Sequence, residues 1–169
     1  VFWVPFTLLE DNWATSAAFS PNDSLIVVSG GYEESKFFDQ DGDFENSVDD
    51  ESDSSQSVSV FNSEGSYLLH INSFNAQLIR VADNKRVLTV DSLGMFTPQR
   101  FSPDGKYLIT GGNNRIRIWS VETQEKIRDL SVDSKFPSNI AISPGSTYFL
   151  CVDPHKDKLM VWEMATGKK

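Results

Sequence analysis

The run Phe101-Ser102-Pro103-Asp104-Gly105-Lys106-Tyr107-Leu108-Ile109-Thr110-Gly111-Gly112 decides the fold. Pro-Asp-Gly is a tight-turn sequence, because Pro presets its φ and Gly adopts φ > 0 without steric cost. The apolar runs on either side therefore pair as a hairpin. Asn113-Asn114 turns the chain again into Arg115-Ile116-Arg117-Ile118-Trp119, whose strict alternation places the isoleucines on one face and the arginines on the other. After Val121 to Gln124, Lys126 to Leu130 alternates as a fourth strand. The unit is four short antiparallel strands.

Working outward, the same pattern recurs. Ala17-Ala18-Phe19-Ser20-Pro21 and Ile140-Ala141-Ile142-Ser143-Pro144 repeat the strand and Ser-Pro turn, and Ser102 and Ser143 stand 41 residues apart. Trp119 and Trp162 each close the strand-like run that follows. A fixed period of this size marks a repeat fold.

These residues resemble the WD40 repeat, the blade of a β-propeller. Phe101 to Leu130 is similar to one full blade and Ile140 to Lys169 to another, while Asn12 to Ser20, with Trp13, resembles the approach to a third. The resemblance implies an all-β propeller of about three and a half to four blades, part of a larger ring or of a ring completed by another chain. The family's Trp-Asp pair is replaced by Trp119-Ser120, Trp162-Glu163 and Phe61-Asn62, with Phe61 read as the end of a third strand. Gly-His precedes no first strand, so the family's Asp-His-Ser/Thr-Trp network is complete in no blade. Apolar packing between sheets is therefore expected to hold the blades. Val1-Phe2-Trp3 and Phe6 to Leu9 are similar to third and fourth strands, and the C-terminal run stops before its own fourth strand, so the two ends suit one another.

Two stretches interrupt the pattern. Residues 32–56 carry Glu33, Glu34, Asp39, Asp41, Asp43, Glu45, Asp49, Asp50, Glu51 and Asp53. With Leu25 to Ser29 and Val58 to Phe61 read as second and third strands, this segment becomes an acidic, disordered insertion in the first blade. Ser47, Ser52, Ser54 and Ser55 among the acids suit an acid-directed kinase, and Phe37, Phe38 and Phe44 suit anchoring in a partner's groove. Asp39, Asp41, Asp43 and Glu45 alternate as hard oxygen donors for calcium, although Gly42 is fourth from Asp39 where an EF-hand loop needs Gly sixth. The second stretch lies near residues 91–98. Ala76 to Val81 and Arg86 to Val90 read as first and second strands of a blade that leaves no room for two more before Phe101, which suggests a missing segment.

The formal net charge of -9 is polarised: residues 1–76 carry -13 and residues 77–169 carry +4. Arg115 and Arg117 head the basic half and suit an acidic protein partner. Aromatics are not interleaved with these bases and the chain is acidic, so nucleic-acid binding is not expected. No run approaches the roughly 20 apolar residues of a membrane span, and no signal-peptide pattern is present. Cys151 is alone in an apolar run and reads as a buried small hydrophobe. His70, in a candidate fourth strand, and His155, in a turn, have no catalytic context. Gly30-Gly31 and Gly111-Gly112 end second strands rather than cradle phosphate, and nucleophile-elbow, zinc and dinucleotide motifs are missing.

The expectation is a non-enzymatic, intracellular protein-interaction scaffold without a cofactor, cytoplasmic or nuclear, working within a multi-protein complex. The alternative is a propeller enzyme or a ligand- or calcium-binding module with its site at the central channel or acidic loop. The repeat positions expected to carry the architecture are Phe19, Ser20, Pro21, Phe61, Phe101, Ser102, Pro103, Asp104, Gly105, Trp119, Ser143, Pro144 and Trp162.

Overall fold

The computed structural model describes residues 14–30, 34–48, 57–73, 75–91, 98–132, 138–153 and 158–169. Among them are fifteen strands and no helix. The first eight are β1 Ala14–Phe19, β2 Leu25–Gly30, β3 Ser35–Asp39, β4 Phe44–Val48, β5 Val58–Phe61, β6 Tyr67–Ile71, β7 Asn75–Arg80 and β8 Lys85–Asp91. The rest are β9 Gln99–Phe101, β10 Tyr107–Gly112, β11 Arg115–Ser120, β12 Lys126–Ser131, β13 Ser138–Ile142, β14 Tyr148–Asp153 and β15 Lys158–Glu163. They pair in chain order into sheets β1 to β4, β5 to β8, β9 to β12 and β13 to β15, built of antiparallel hairpins. Two compact units result, Val1–Thr89 and Val90–Lys169.

One turn organises each sheet. The Ser20 N–H donates to the Leu25 carbonyl at 2.8 Å and the Leu25 N–H donates back to Ser20 Oγ at 2.9 Å. Ser102 and Tyr107 repeat the exchange at 2.8 and 2.9 Å, and Ser143 and Tyr148 at 2.9 and 3.0 Å. A fourth instance is written differently. Asn62 donates to the Tyr67 carbonyl at 2.9 Å, and Tyr67 N–H donates to Asn62 Oδ1 at 2.9 Å. The side-chain oxygen satisfies a backbone donor that would otherwise be orphaned at the start of the second strand. With Asn62 included, the clamp residues are spaced 42, 40 and 41 residues apart.

This fourth clamp corrects the reading of residues 32–62. Phe61 ends a first strand, β5, rather than a third, and the acidic stretch supplies the first sheet's own third and fourth strands, β3 and β4. The insertion between second and third strands is thereby replaced by a hairpin whose acids are confined to its turn and outer edge. Charge masked the alternation Ser35, Phe37 and Val48 inward against the second sheet. The crowding before Phe101 disappears for the same reason: Asn75–Arg80 and Lys85–Asp91 are third and fourth strands, and β6, with His70, is a second strand. Residues 92–97, most of the suspected gap, lie outside the described residues, as do 1–13, 49–56 and 154–157.

Within Val1–Thr89, Val27, Phe37 and Val48 of the first sheet pack against Phe61, Leu68 and Ile79 of the second, and the rings of Phe37 and Phe61 meet edge to face at 6.3 Å. A buried hydroxyl cluster reinforces them. Ser35 Oγ donates to Ser29 Oγ (2.8 Å), Ser29 Oγ donates to Ser59 Oγ (2.7 Å), and His70 Nδ1 lies 3.1 Å from both Ser35 Oγ and Ser59 Oγ. Four strands thus share one polar centre, and hydrogen bonding removes the cost of burying it. The adjoining turns also touch: Gly65, at φ +73, is so close to Pro21 that a Cβ there would stand 3.1 Å from the proline Cδ.

Within Val90–Lys169, Ile109, Ile116 and Ile118 pack against Phe149, Cys151, Met160 and Trp162, and the rings of Phe149 and Trp162 stack at 5.2 Å. Neighbouring turns meet here as well, the Asp104 N–H donating to Ser146 Oγ at 3.1 Å. Asn113 and Asn114 have φ of 51° and 61°, the two consecutive positive values of a type I′ hairpin turn, whose twist suits the paired strands. Trp119 Nε1 donates to Thr110 Oγ1 at 3.1 Å, bridging β11 to β10.

Candidate protein-docking cleft

The acidic hairpin builds the rim of a cleft in Val1–Thr89. At its turn the Asp39 carboxylate accepts from the backbone N–H groups of Asp41 (2.9 Å) and Asp43 (2.8 Å), and Gly42 takes φ +90. Asp39 therefore spends its charge on its own turn. Among the described residues no three of His, Cys, Asp or Glu converge to hold a metal, and Asp41, Asp43 and Glu45 are spread along an exposed edge.

Phe38 and Phe44 pair across the hairpin at 6.1 Å, with Phe38 buried and Phe44 exposed, while Phe37 points the other way into the core. A bulge between Phe37 and Phe38 shifts the register and turns Glu45 and Asn46 toward the second sheet. There Leu25, Phe37, Glu45, Asn46, Val81 and Asn84 line a cleft of about 160 Å³. Asn84, held at φ 52 in the turn between β7 and β8, donates through Nδ2 to the Ser47 carbonyl at 2.5 Å and closes one end. Beside it, Arg80 and Asp83 form an exposed ion pair at 2.8 Å, and the Arg80 hydrogen bond holds the Asp83 carboxyl below its ordinary range. The cleft thus has Leu25, Phe37 and Val81 on its floor, Asn46 and Asn84 beside them and Glu45 at its rim.

Arg115 and Arg117 belong to a different arrangement. Both reach Asp129 of β12, at 2.6 and 3.8 Å, and Lys126 joins at 2.8 Å. Burial pushes the Asp129 carboxyl upward, but hydrogen bonds from Lys126 and Arg115 outweigh it and hold the group below 3.8. Asp104 is lowered likewise: burial opposes, and hydrogen bonds from Ser102 and the Lys106 backbone prevail. Burial pushes the Cys151 thiol up to about 11, with Asp153 adding to the shift, so it remains protonated near neutrality. His155, Ser52, Ser54, Ser55 and Trp13 lie outside the described residues.

The cleft eluded the sequence because Asn84 and Val81 lie some 40 positions from Glu45, in a turn whose own register depended on recognising Asn62 as a clamp. The polar alternation Ser57-Val58-Ser59-Val60, with serines inward, was the available sign that the two sheets meet through hydroxyls.

Clamped antiparallel sheets of three or four strands, packed in pairs through apolar faces, define a repeat protein of the β-propeller class. Residues 79–120 match the family described as WD domain, G-beta repeat. Over 54 residues it is 44% identical to the transcriptional repressor rco-1 of Neurospora crassa, covering 32% of this chain and 9% of that protein. Hydrazine synthase of Kuenenia stuttgartiensis superposes with a TM-score of 0.73 at 16% identity, over 99% of this chain and 51% of that one. At that identity the likeness is one of fold. The chain spans about half of the solved relative and its aligned segment under a tenth of the curated one.

Proposed function

We propose that the chain is a non-enzymatic protein-interaction scaffold whose cleft beside the acidic hairpin receives a partner segment carrying an apolar side chain among basic residues. The observation that carries this reading is the combination of an apolar floor (Leu25, Phe37, Val81) with Glu45 on the rim and Asp39, Asp41 and Asp43 at the neighbouring turn. WD40-repeat proteins generally serve as interaction platforms, which supports the reading. The likeness to a transcriptional repressor supports work within a multi-protein complex in the nucleus. Residues 49–56 add acids and serines next to the hairpin, and phosphorylation there would raise the attraction for a basic partner.

The test is in-cell proximity cross-linking with the native chain and with Asp41→Lys/Glu45→Lys. Both positions are exposed, so the fold should survive, as circular dichroism would check. Loss of a reproducible subset of cross-linked proteins is expected. Identical cross-linking by both proteins would remove the cleft from the function.

A further inference from the structure

We propose that Arg115, Arg117 and Lys126 form a binding site for a phosphomonoester dianion, carried on a phosphorylated side chain of a partner protein. A backbone irregularity assembles it. Successive residues of a strand alternate between its faces, so positions three apart, such as Lys126 and Asp129, ordinarily face opposite ways. The register between β11 and β12 shifts between Ile118 and Trp119: Ile118 pairs with Arg128, yet Trp119 pairs with Lys126. This bulge admits Ile127 as an extra residue and turns Lys126 onto the face of Asp129. Arg128, on the opposite face, donates Nη1 to the Ile127 carbonyl at 2.7 Å, a bond that holds the bulge.

Three cations therefore converge on one carboxylate. Arg115 Nε lies 2.6 Å from Asp129 Oδ1 and Lys126 Nζ 2.8 Å from Oδ2. Among the described residues no other carboxylate pairs with any of the three, so three cations against one carboxylate leave a surplus of +2. A guanidinium has five N–H groups and an ammonium three, and Arg115 and Lys126 each use one on Asp129. Arg117 uses none. Its Nε is 3.8 Å from Asp129 Oδ2, beyond hydrogen-bond distance, and its buried Nη1 meets no acceptor among the described residues. A buried charged donor left unmet opposes folding, and turning toward a ligand at the rim would pair it without breaking a bond.

Charge and donor geometry select a phosphomonoester. It carries about -1.5 to -2 near pH 7 and three acceptor oxygens, which matches the surplus; a single carboxylate would offset only half of it. Arg115 and Arg117 stand two residues apart on one face, about 7 Å along the strand. All three heads already gather on a single carboxylate, so a group of similar size placed beside it lies within reach of each. Guanidinium forks suit phosphate oxygens in two-point contacts. The side chains of Arg115 and Lys126 are 44% and 41% exposed, and β12 is the outer strand of its sheet. The group is thus approached from an open edge rather than through an enclosing pocket, and an open edge admits a phosphate borne on a peptide chain.

The site lies in Val90–Lys169 and is independent of the acidic cleft in Val1–Thr89, so the two readings fail separately. The probe is an array of peptides with randomised flanks around a central phosphoserine, presented to the 169-residue chain beside the same array carrying serine. Phosphate-dependent capture is expected. With the best-captured phosphopeptide, titration followed by NMR should move the Nε–H signals of Arg115 and Arg117 and leave that of Arg80, paired with Asp83 in the other unit, in place. Arg115→Gln and Lys126→Gln are each expected to weaken the peptide about tenfold. Both side chains reach solvent, and unchanged circular dichroism would show that the fold is kept. Arrays captured alike with and without phosphate, no capture by either, binding unaltered by both substitutions, or inorganic phosphate competing as well as the phosphopeptide at equal concentration would each overturn the proposal.

Discussion

Asp129 shows how much one side chain can organise. It gathers Arg115, Arg117 and Lys126 across β11 and β12, and its carboxyl is held below 3.8 against the opposing effect of burial. A group whose folded pKa is depressed contributes stability that is present above its unfolded pKa and lost as pH falls through the folded value. Chemical denaturation is therefore expected to show the native chain losing more stability than Asp129→Asn between about pH 7 and about pH 3. Equal losses would mean that the three cations do not act through this carboxylate. Arg115 and Arg117 were legible as outward residues from the alternation of β11, but their commitment to Asp129 was not, since it depends on the pairing of two strands.

At the scale of the element, the clamp turn is the repeating device, and Asn62 is its most informative instance. Asn62→Ser keeps an acceptor for the Tyr67 N–H and should change unfolding free energy little, whereas Asn62→Ala leaves that donor unmet at a cost of about 1 to 3 kcal/mol. Urea denaturation of the two variants checks this, and equal stability would deny the clamp its role. Ser-Pro made the last two sheets and the first two strands of the first sheet readable from the chain alone. The second sheet was misread because Asn62-Ser63 performs the same hydrogen bonding under different letters, and that one error displaced every strand from Ser35 to Asp91. Pro21 was visible as a turn residue; its contact with Gly65, which spaces two turns, belongs to packing and has no local signature.

For the whole molecule, the two apolar clusters predict separable responses. Leu68 is fully buried among Val27, Phe61 and Ile79, and Leu68→Ala should cost about 2 to 5 kcal/mol. Hydrogen exchange is expected to quicken in β1 to β8 well before it does in β10 to β15, where Ile109, Phe149 and Trp162 form their own core. Uniform acceleration would instead indicate a single cooperative body. The strand order carries a kinetic consequence too. Because every strand in every sheet hydrogen-bonds to its neighbour in sequence, and each clamp joins residues only five apart, the first native contacts require closure of short loops alone. Low contact order of this kind speeds folding, so each sheet can form as it leaves the ribosome, before the face that will cover it has been synthesised.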